Sequence, residues 1–285
     1  MKKIPVFLCV CLFFSVISLE GQTPGDAQSL YGDSFGRMGA AFRRQEATSV
    51  DAYYLGRAVA ANILAAYKPY TTNPELTRYL NKICQTIVIN SAYPDLYNGY
   101  HVMILDSPEF NAFATPAGHI FITKGLVEAA SSEDMLAALI AHELAHIMLK
   151  HGLSMIEDMR LHDDMSVMAD RAVQFAGNTE AAARFSYFRN SVAATVNALV
   201  KNGFSQEQEF EADEGAVVLL AASGYNPQAL LGIIRVLMRV QSSQNGGFNS
   251  THPSPAQRLE RAREYVRQYQ VQDNSSSREQ RFKNK

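Results

Sequence analysis

The chain has 285 residues, 47% of them hydrophobic and 19% charged, which excludes a disordered tail, a collagen-like rod and a disulfide-stapled mini-protein. With 26 basic against 28 acidic residues the net charge is −2, so nothing in the balance points to nucleic acid or an anionic membrane surface. Domains of this size bury roughly 75% of their unfolded surface, so a real core is expected, and length alone allows one large domain or two small ones.

At the N-terminus, Lys2 and Lys3 precede an apolar run from Ile4 to Leu19. This pattern predicts a secretory signal peptide over 1–21, cleaved after Ser18 or Gly21, because the run is shorter than the ~18 apolar residues of a spanning helix. An uncleaved anchor is the alternative. Cleavage removes Cys9 and Cys11 and leaves Cys84, so a mature monomer has no internal disulfide and must draw stability from packing or a metal. The expected location is the periplasm or cell envelope of a bacterium, in proximity to the envelope membrane.

Residues 22–270 read as one domain. After a mixed, glycine-containing stretch to Ala47, Val50–Tyr67 and Pro74–Ser91 carry apolar residues at helical spacing. The segments YHVMIL and HIFIT, ending at Leu105 and Thr123, are β-rich and flank NAFATPAG, whose Pro116 and Gly118 read as a turn or bulge before the second strand. Everything beyond Gly125 reads as helix. Ser131–His151 starts with a capping box, Ser131 with Asp134, and is apolar on nearly every side, the mark of a buried helix. Further helices are predicted at Leu153–Phe175, Glu180–Leu199, Gln206–Ser223, Pro227–Gln241 and Pro255–Gln268. Residues 271–285 form a polar flexible tail. The fold class is α+β, mostly helical with a small sheet.

The sequence AHELAH puts His142 and His146 one turn apart on the buried helix, with Glu143 beside the first. Two imidazoles so spaced can converge on one zinc ion, and the glutamate can take a proton from the attacking water. A buried helix with two satisfied histidines is the plainer reading, but unpaired ionisable groups at the end of so apolar a helix would be costly. A third ligand is required. Leu149 and Gly152 exclude the extended HExxHxxGxxH pattern, and no glutamate occurs between Glu157 and Glu180. Glu209 and Asp213 share a helical face with Ala216 and Leu220, so Glu209 is the candidate third ligand and Asp213 the group that orients a ligating histidine. An acidic solvated helix face fits the same pattern. Glu207, Glu211 and Glu214 fall on other faces and are expected to be exposed. His162, Asp163 and Asp164 read as a solvated turn, His119 as a strand-face residue, and His101 and His151 as structural or surface groups.

HELAH followed by EFEAD resembles the HtpX, prenyl-protein protease and BepA/LoiP family of zinc metallopeptidases. NAFATPAGHIFITKGL (Asn111–Leu126) resembles that family's edge strand beside the cleft, and THPSPAQRL (Thr251–Leu259) its late His-Pro segment with Arg258. Ala117 departs from the pattern, standing where the family commonly has a glycine. The resemblance implies one Zn2+ per chain held by His142, His146 and Glu209, with Glu143 as base. It further implies that His252 lies at the cleft, as a reversible fourth ligand keeping the enzyme latent. The implied activity is hydrolysis of peptide bonds in unfolded or misassembled envelope proteins, bound as extended strands near Gly118–Thr123, where main-chain pairing makes few demands on substrate sequence. A zinc-containing chaperone-like module that holds such clients is the alternative; a purely structural zinc would have no use for Glu143.

Overall fold

The computed structural model describes residues 49–154, 203–243, 255–269 and 275–285. The expected signal peptide, most of the two helices expected between Leu153 and Leu199, the cluster His162, Asp163 and Asp164, and His252 lie outside them. Described in chain order are α1 (Ser49–Ala66), α2 (Pro74–Ile89), β1 (His101–Leu105), β2 (Ala112–Ala114), β3 (His119–Thr123), α3 (Lys124–Ala129) and α4 (Glu133–Met148). After them come α5 (Gln206–Ala222), α6 (Gln228–Ser243), α7 (Pro255–Val266) and α8 (Ser275–Lys283). The α+β reading holds. No described helix is long and apolar enough to cross a membrane.

The sheet has the order β1-β3-β2. β3 runs parallel to β1, with His101 opposite His119, and antiparallel to β2, with Phe113 opposite Phe121. Alternation along the strands splits the core in two. Ile104, Ile120 and Ile122 face the larger cluster with α2, α4, α5, α6 and α7, while Phe113, Phe121 and Leu105 face Leu55, Val59 and Ile63 of α1. Ala117 is accommodated by α1: a Cβ at Gly56 would lie 2.4 Å from the Ala117 Cβ, so the helix approaches the turn only because residue 56 has no side chain.

The turn at Pro116–Gly118 forms as expected, and the three-residue strand β2 lies just before it, in a stretch the sequence did not mark as a strand. β3 is therefore the central strand, which corrects the expectation of a free edge at Gly118–Thr123. Both its flanks are used: His101 donates its amide to the Gly118 carbonyl at 2.9 Å on one side, and Thr115 to the His119 carbonyl at 2.9 Å on the other. Among the described residues, the sheet edge with no neighbouring strand or bridge is that of β2.

Every residue of α4 from Met135 to Met148 is buried, as expected of a helix apolar on all sides. Its cap is Ser132 rather than Ser131; the Ser132 hydroxyl accepts a hydrogen bond from the Met135 amide at 3.2 Å. The helix also stops earlier than Ser131–His151 implied, at Met148, because Lys150 takes up a left-handed conformation (φ 59°). Within the stretch expected to be a polar tail, α8 forms and binds the start of α4. Arg281 Nε donates to Glu133 Oε2 at 2.9 Å, and Arg278 Nε to Asp134 Oδ2 at 2.9 Å. Glu133, only 1% exposed, also accepts from the hydroxyls of Tyr79 (2.7 Å) and Tyr225 (3.2 Å).

Candidate metal centre

The centre forms where α4 crosses α5. Small residues set the separation: a Cβ at Gly215 would lie 2.9 Å from the Ala145 Cβ, so the helices approach through a glycine opposite an alanine. On α4, His142 and His146 lie on either side of Ala145; on α5, Glu209 and Asp213 lie in the turns just before Gly215. Spacing of four residues puts each pair on one face, so two short helical motifs present four polar groups to a single point. The capping box at Ser205 and Gln208 starts α5 one turn before Glu209 and fixes the phase of that face.

His142 Nε2 lies 3.1 Å from His146 Nε2 and 3.4 Å from Glu209 Oε2, and His146 Nε2 lies 3.5 Å from Glu209 Oε1. A tetrahedral zinc with bonds of 2.0–2.1 Å needs donor separations of about 3.3–3.4 Å, so the three donors already stand near the corners of such a site. Charge agrees with geometry. Glu143, Glu209 and Asp213 are each 2% exposed or less, and the Arg258 guanidinium beside them is buried as well, so the acidic side chains outnumber the arginine three to one at a site where a divalent ion would be balanced. The donor set, two imidazoles and a carboxylate, is one that zinc favours.

Asp213 joins this site through two partners. Its Oδ1 is 3.1 Å from His142 Nδ1, and its two oxygens receive Arg258 Nη2 (2.8 Å) and Nε (2.9 Å) as a fork. The third guanidinium nitrogen, Nη1, lies 2.8 Å from Glu209 Oε2. Burial alone would raise the Asp213 pKa, but the Arg258 charge and hydrogen bonds overcome it and hold the carboxyl below the usual range. For His142, burial and the Arg258 charge pull the pKa down, yet contacts with Asp213 and Glu209 outweigh them and push it up to about 9. Burial dominates at His146 and depresses it well below the ordinary imidazole value. Without a metal, then, the two imidazoles are electrostatically unequal.

The structure thus brings His142, Glu143, His146, Glu209 and Asp213 together. His252 lies outside the described residues, three positions before α7, the helix that carries Arg258. Glu207 and Glu211 are exposed as expected, whereas Glu214 is half-buried. His119 is also half-buried, its Nδ1 3.1 Å from the Thr115 hydroxyl, and His101 is exposed.

Sequence reasoning missed three participants. Arg258 was part of a motif without an assigned role. His151, expected to be a structural or surface group, is 3% exposed and sits against His146. Phe204 stacks on the His146 ring at 3.9 Å between centroids and 16° between planes. The spacing of His151 hides its role, since five residues along a continuous helix is about 140° away from His146. Only the break at Lys150 turns it back.

Compared with known proteins, residues 74–266 match the profile described as "Peptidase family M48". The chain is 26% identical over 202 residues to a protein of Escherichia coli named "Beta-barrel assembly-enhancing protease", covering 70% of this chain and 41% of that one. A Yersinia pestis protein of the same name is 26% identical over 286 residues, covering 98% and 56%. "Mitochondrial metalloendopeptidase OMA1" of Schizosaccharomyces pombe is 28% identical over 217 residues, covering 75% and 58%. The chain therefore spans about half the length of these curated relatives.

Proposed function

The chain belongs to peptidase family M48, and from that premise we propose that it is an exported zinc endopeptidase that cleaves unfolded or misassembled proteins of the cell envelope. The observation that carries this reading is the near-tetrahedral placement of His142 Nε2, His146 Nε2 and a Glu209 oxygen, 3.1–3.5 Å apart, with Glu143 adjacent in sequence and buried beside them. His142, His146 and Glu209 would hold the metal. A zinc ion there supplies Lewis acidity, polarising a carbonyl and lowering the pKa of water to about 7. Glu143 takes the proton of the attacking water and returns it to the amide nitrogen that departs. Asp213 holds His142 through Nδ1 and is itself locked by Arg258, so the ligand keeps its aim during turnover.

The substrate would pair with β2. Its hydrogen-bonded pairs with β3 include Asn111 with Thr123 and Thr115 with His119, so Ala112 and Ala114 direct their main-chain groups away from β3, where the Ala112 amide donates to Asn111 Oδ1 at 2.9 Å and a substrate strand would have to displace that bond. Ala114, Pro116, His146 and Phe204 line one small cavity, so this edge ends at the metal site. Main-chain pairing there suits extended, unfolded polypeptide of varied sequence. The names of the bacterial relatives support an envelope setting, and the N-terminal signal-like sequence supports export. His252, by its motif, would act as the latch on the open metal position.

Casein cleavage by the zinc-loaded chain tests the assignment. Glu143→Gln should retain zinc and lose activity by a factor of about 10²–10⁴; equal cleavage by both proteins would refute the catalytic role. In the same assay His252→Ala should cleave faster than the parent, and an unchanged or slower rate would dispose of the latch.

A further inference from the structure

His146 has a second hydrogen-bonding path that neither the motif nor the proposed chemistry uses. Its Nδ1 lies 2.8 Å from His151 Nδ1, and His151 Nε2 lies 3.1 Å from Glu211 Oε2. Both imidazoles are buried, at 1% and 3% exposure, whereas the Glu211 side chain is 51% exposed. The line runs outward, from the metal ligand through a buried ring to a carboxylate at the surface.

Proton placement along this line has one arrangement compatible with metal binding. If His146 offers its Nε2 lone pair to a metal, its hydrogen sits on Nδ1 and must find an acceptor. Among the described residues the ring atom at hydrogen-bond distance from it is His151 Nδ1, which can accept only if the His151 hydrogen sits on Nε2. That hydrogen then donates to Glu211. In the reverse arrangement His146 would carry its hydrogen on Nε2, in the metal position, and neutral His151 would turn a bare nitrogen toward a carboxylate. Glu211 therefore selects the tautomer of His151, which in turn selects that of His146. Phe204, stacked on His146, holds the ring plane in which this bond lies.

We infer that His151 and Glu211 are positioning residues for His146, a donor chain that fixes which nitrogen of the ligand faces the metal. The inference rests on the zinc-site reading above and extends it to two residues outside the HExxH and EFEAD ligand positions. It also assigns the two histidine ligands different supports: Asp213 with Arg258 for His142, and His151 with Glu211 for His146. The break at Lys150 has a purpose in this arrangement, since it is what returns His151 to His146.

The test uses the full chain carrying Glu143→Gln, to prevent self-cleavage. Zinc affinity is measured by competition with a chromophoric chelator, and ligand geometry by the visible spectrum of the cobalt(II)-substituted protein. His151→Leu should weaken zinc binding about tenfold to a hundredfold and alter the cobalt bands. His151→Asn, whose Oδ1 can accept from His146 Nδ1, should recover most of that loss. Glu211→Gln, at an exposed position that leaves folding intact, should weaken binding by a smaller factor, within about tenfold. Unchanged affinity and spectrum in Glu211→Gln, or in a folded His151→Leu, would overturn the inference, as would a loss that His151→Asn does not recover. Should the parent itself bind no metal, the zinc reading fails first and takes the inference with it, which separates the two failures.

Discussion

Arg258 shows how a single side chain can hold a site together before any metal arrives. It is 2% exposed and faces Asp213 with two nitrogens and Glu209 with the third. Removing it leaves Asp213 and Glu209 buried beside a third carboxylate, Glu143, without the guanidinium that bonds both, and breaking a buried pair in this way costs about 3–5 kcal/mol. Arg258→Ala should therefore lose about that much stability in urea unfolding of the metal-free protein, and visibly less when zinc is present to supply positive charge. Arg258→Lys should recover only part of the loss, because one ammonium cannot reproduce a fork on Asp213 and a third bond to Glu209. A wild-type unfolding midpoint for metal-free Arg258→Ala would contradict this account. The sequence held Arg258 only as a motif letter. Its role depends on a contact across 45 residues, which no local pattern encodes.

At the scale of elements, the α4 and α5 crossing sets the donor distances, and its tightness rests on the Gly215–Ala145 contact. Gly215→Ala would place a Cβ 2.9 Å from that of Ala145, with the next atom 3.8 Å away, so the helices must shift or separate. Overpacking of this kind costs about 1–3 kcal/mol, and zinc affinity should fall with it because His142 and Glu209 sit on the two different helices that the clash would push apart. The double variant Gly215→Ala/Ala145→Gly removes the clashing atom and should regain both zinc affinity and most of the stability, since it moves the glycine from one helix interior to the other and the two propensity changes of about 1 kcal/mol cancel. Chelator titration of the three proteins checks both parts. The ligands on these helices were legible because four-residue spacing converts directly into a shared face. Residues Ala112–Ala114 were not, because three residues become a strand only through pairing with β3, and that misplaced the free edge. His151 was hidden by the left-handed turn at Lys150. Arg281 of α8 was hidden by its partner, Glu133, 148 residues upstream.

On the scale of the whole molecule, a metal at this position does more than chemistry. Its donors come from α4 and α5, and Arg258 of α7 reaches the same carboxylates, so the ion would tie together the helices of the larger core. With Cys84 as the single described cysteine, buried and unpaired, no disulfide among the described residues shares that task. A ligand that binds only the folded state stabilises it by RT ln(1 + [L]/Kd), about 4 kcal/mol at a thousandfold excess over Kd. For a domain of this size that corresponds to a melting shift of about 10 °C. Chelation of Glu143→Gln, which keeps the donor set while preventing self-digestion, should therefore lower its melting temperature by about that amount, and added zinc should restore it. His142→Ala should melt at one temperature whether or not chelator is present, because the remaining donors no longer enclose the ion. If chelation moved both proteins equally, zinc would be acting somewhere other than the α4 and α5 crossing, and if it moved neither, the ion would have no part in holding the core.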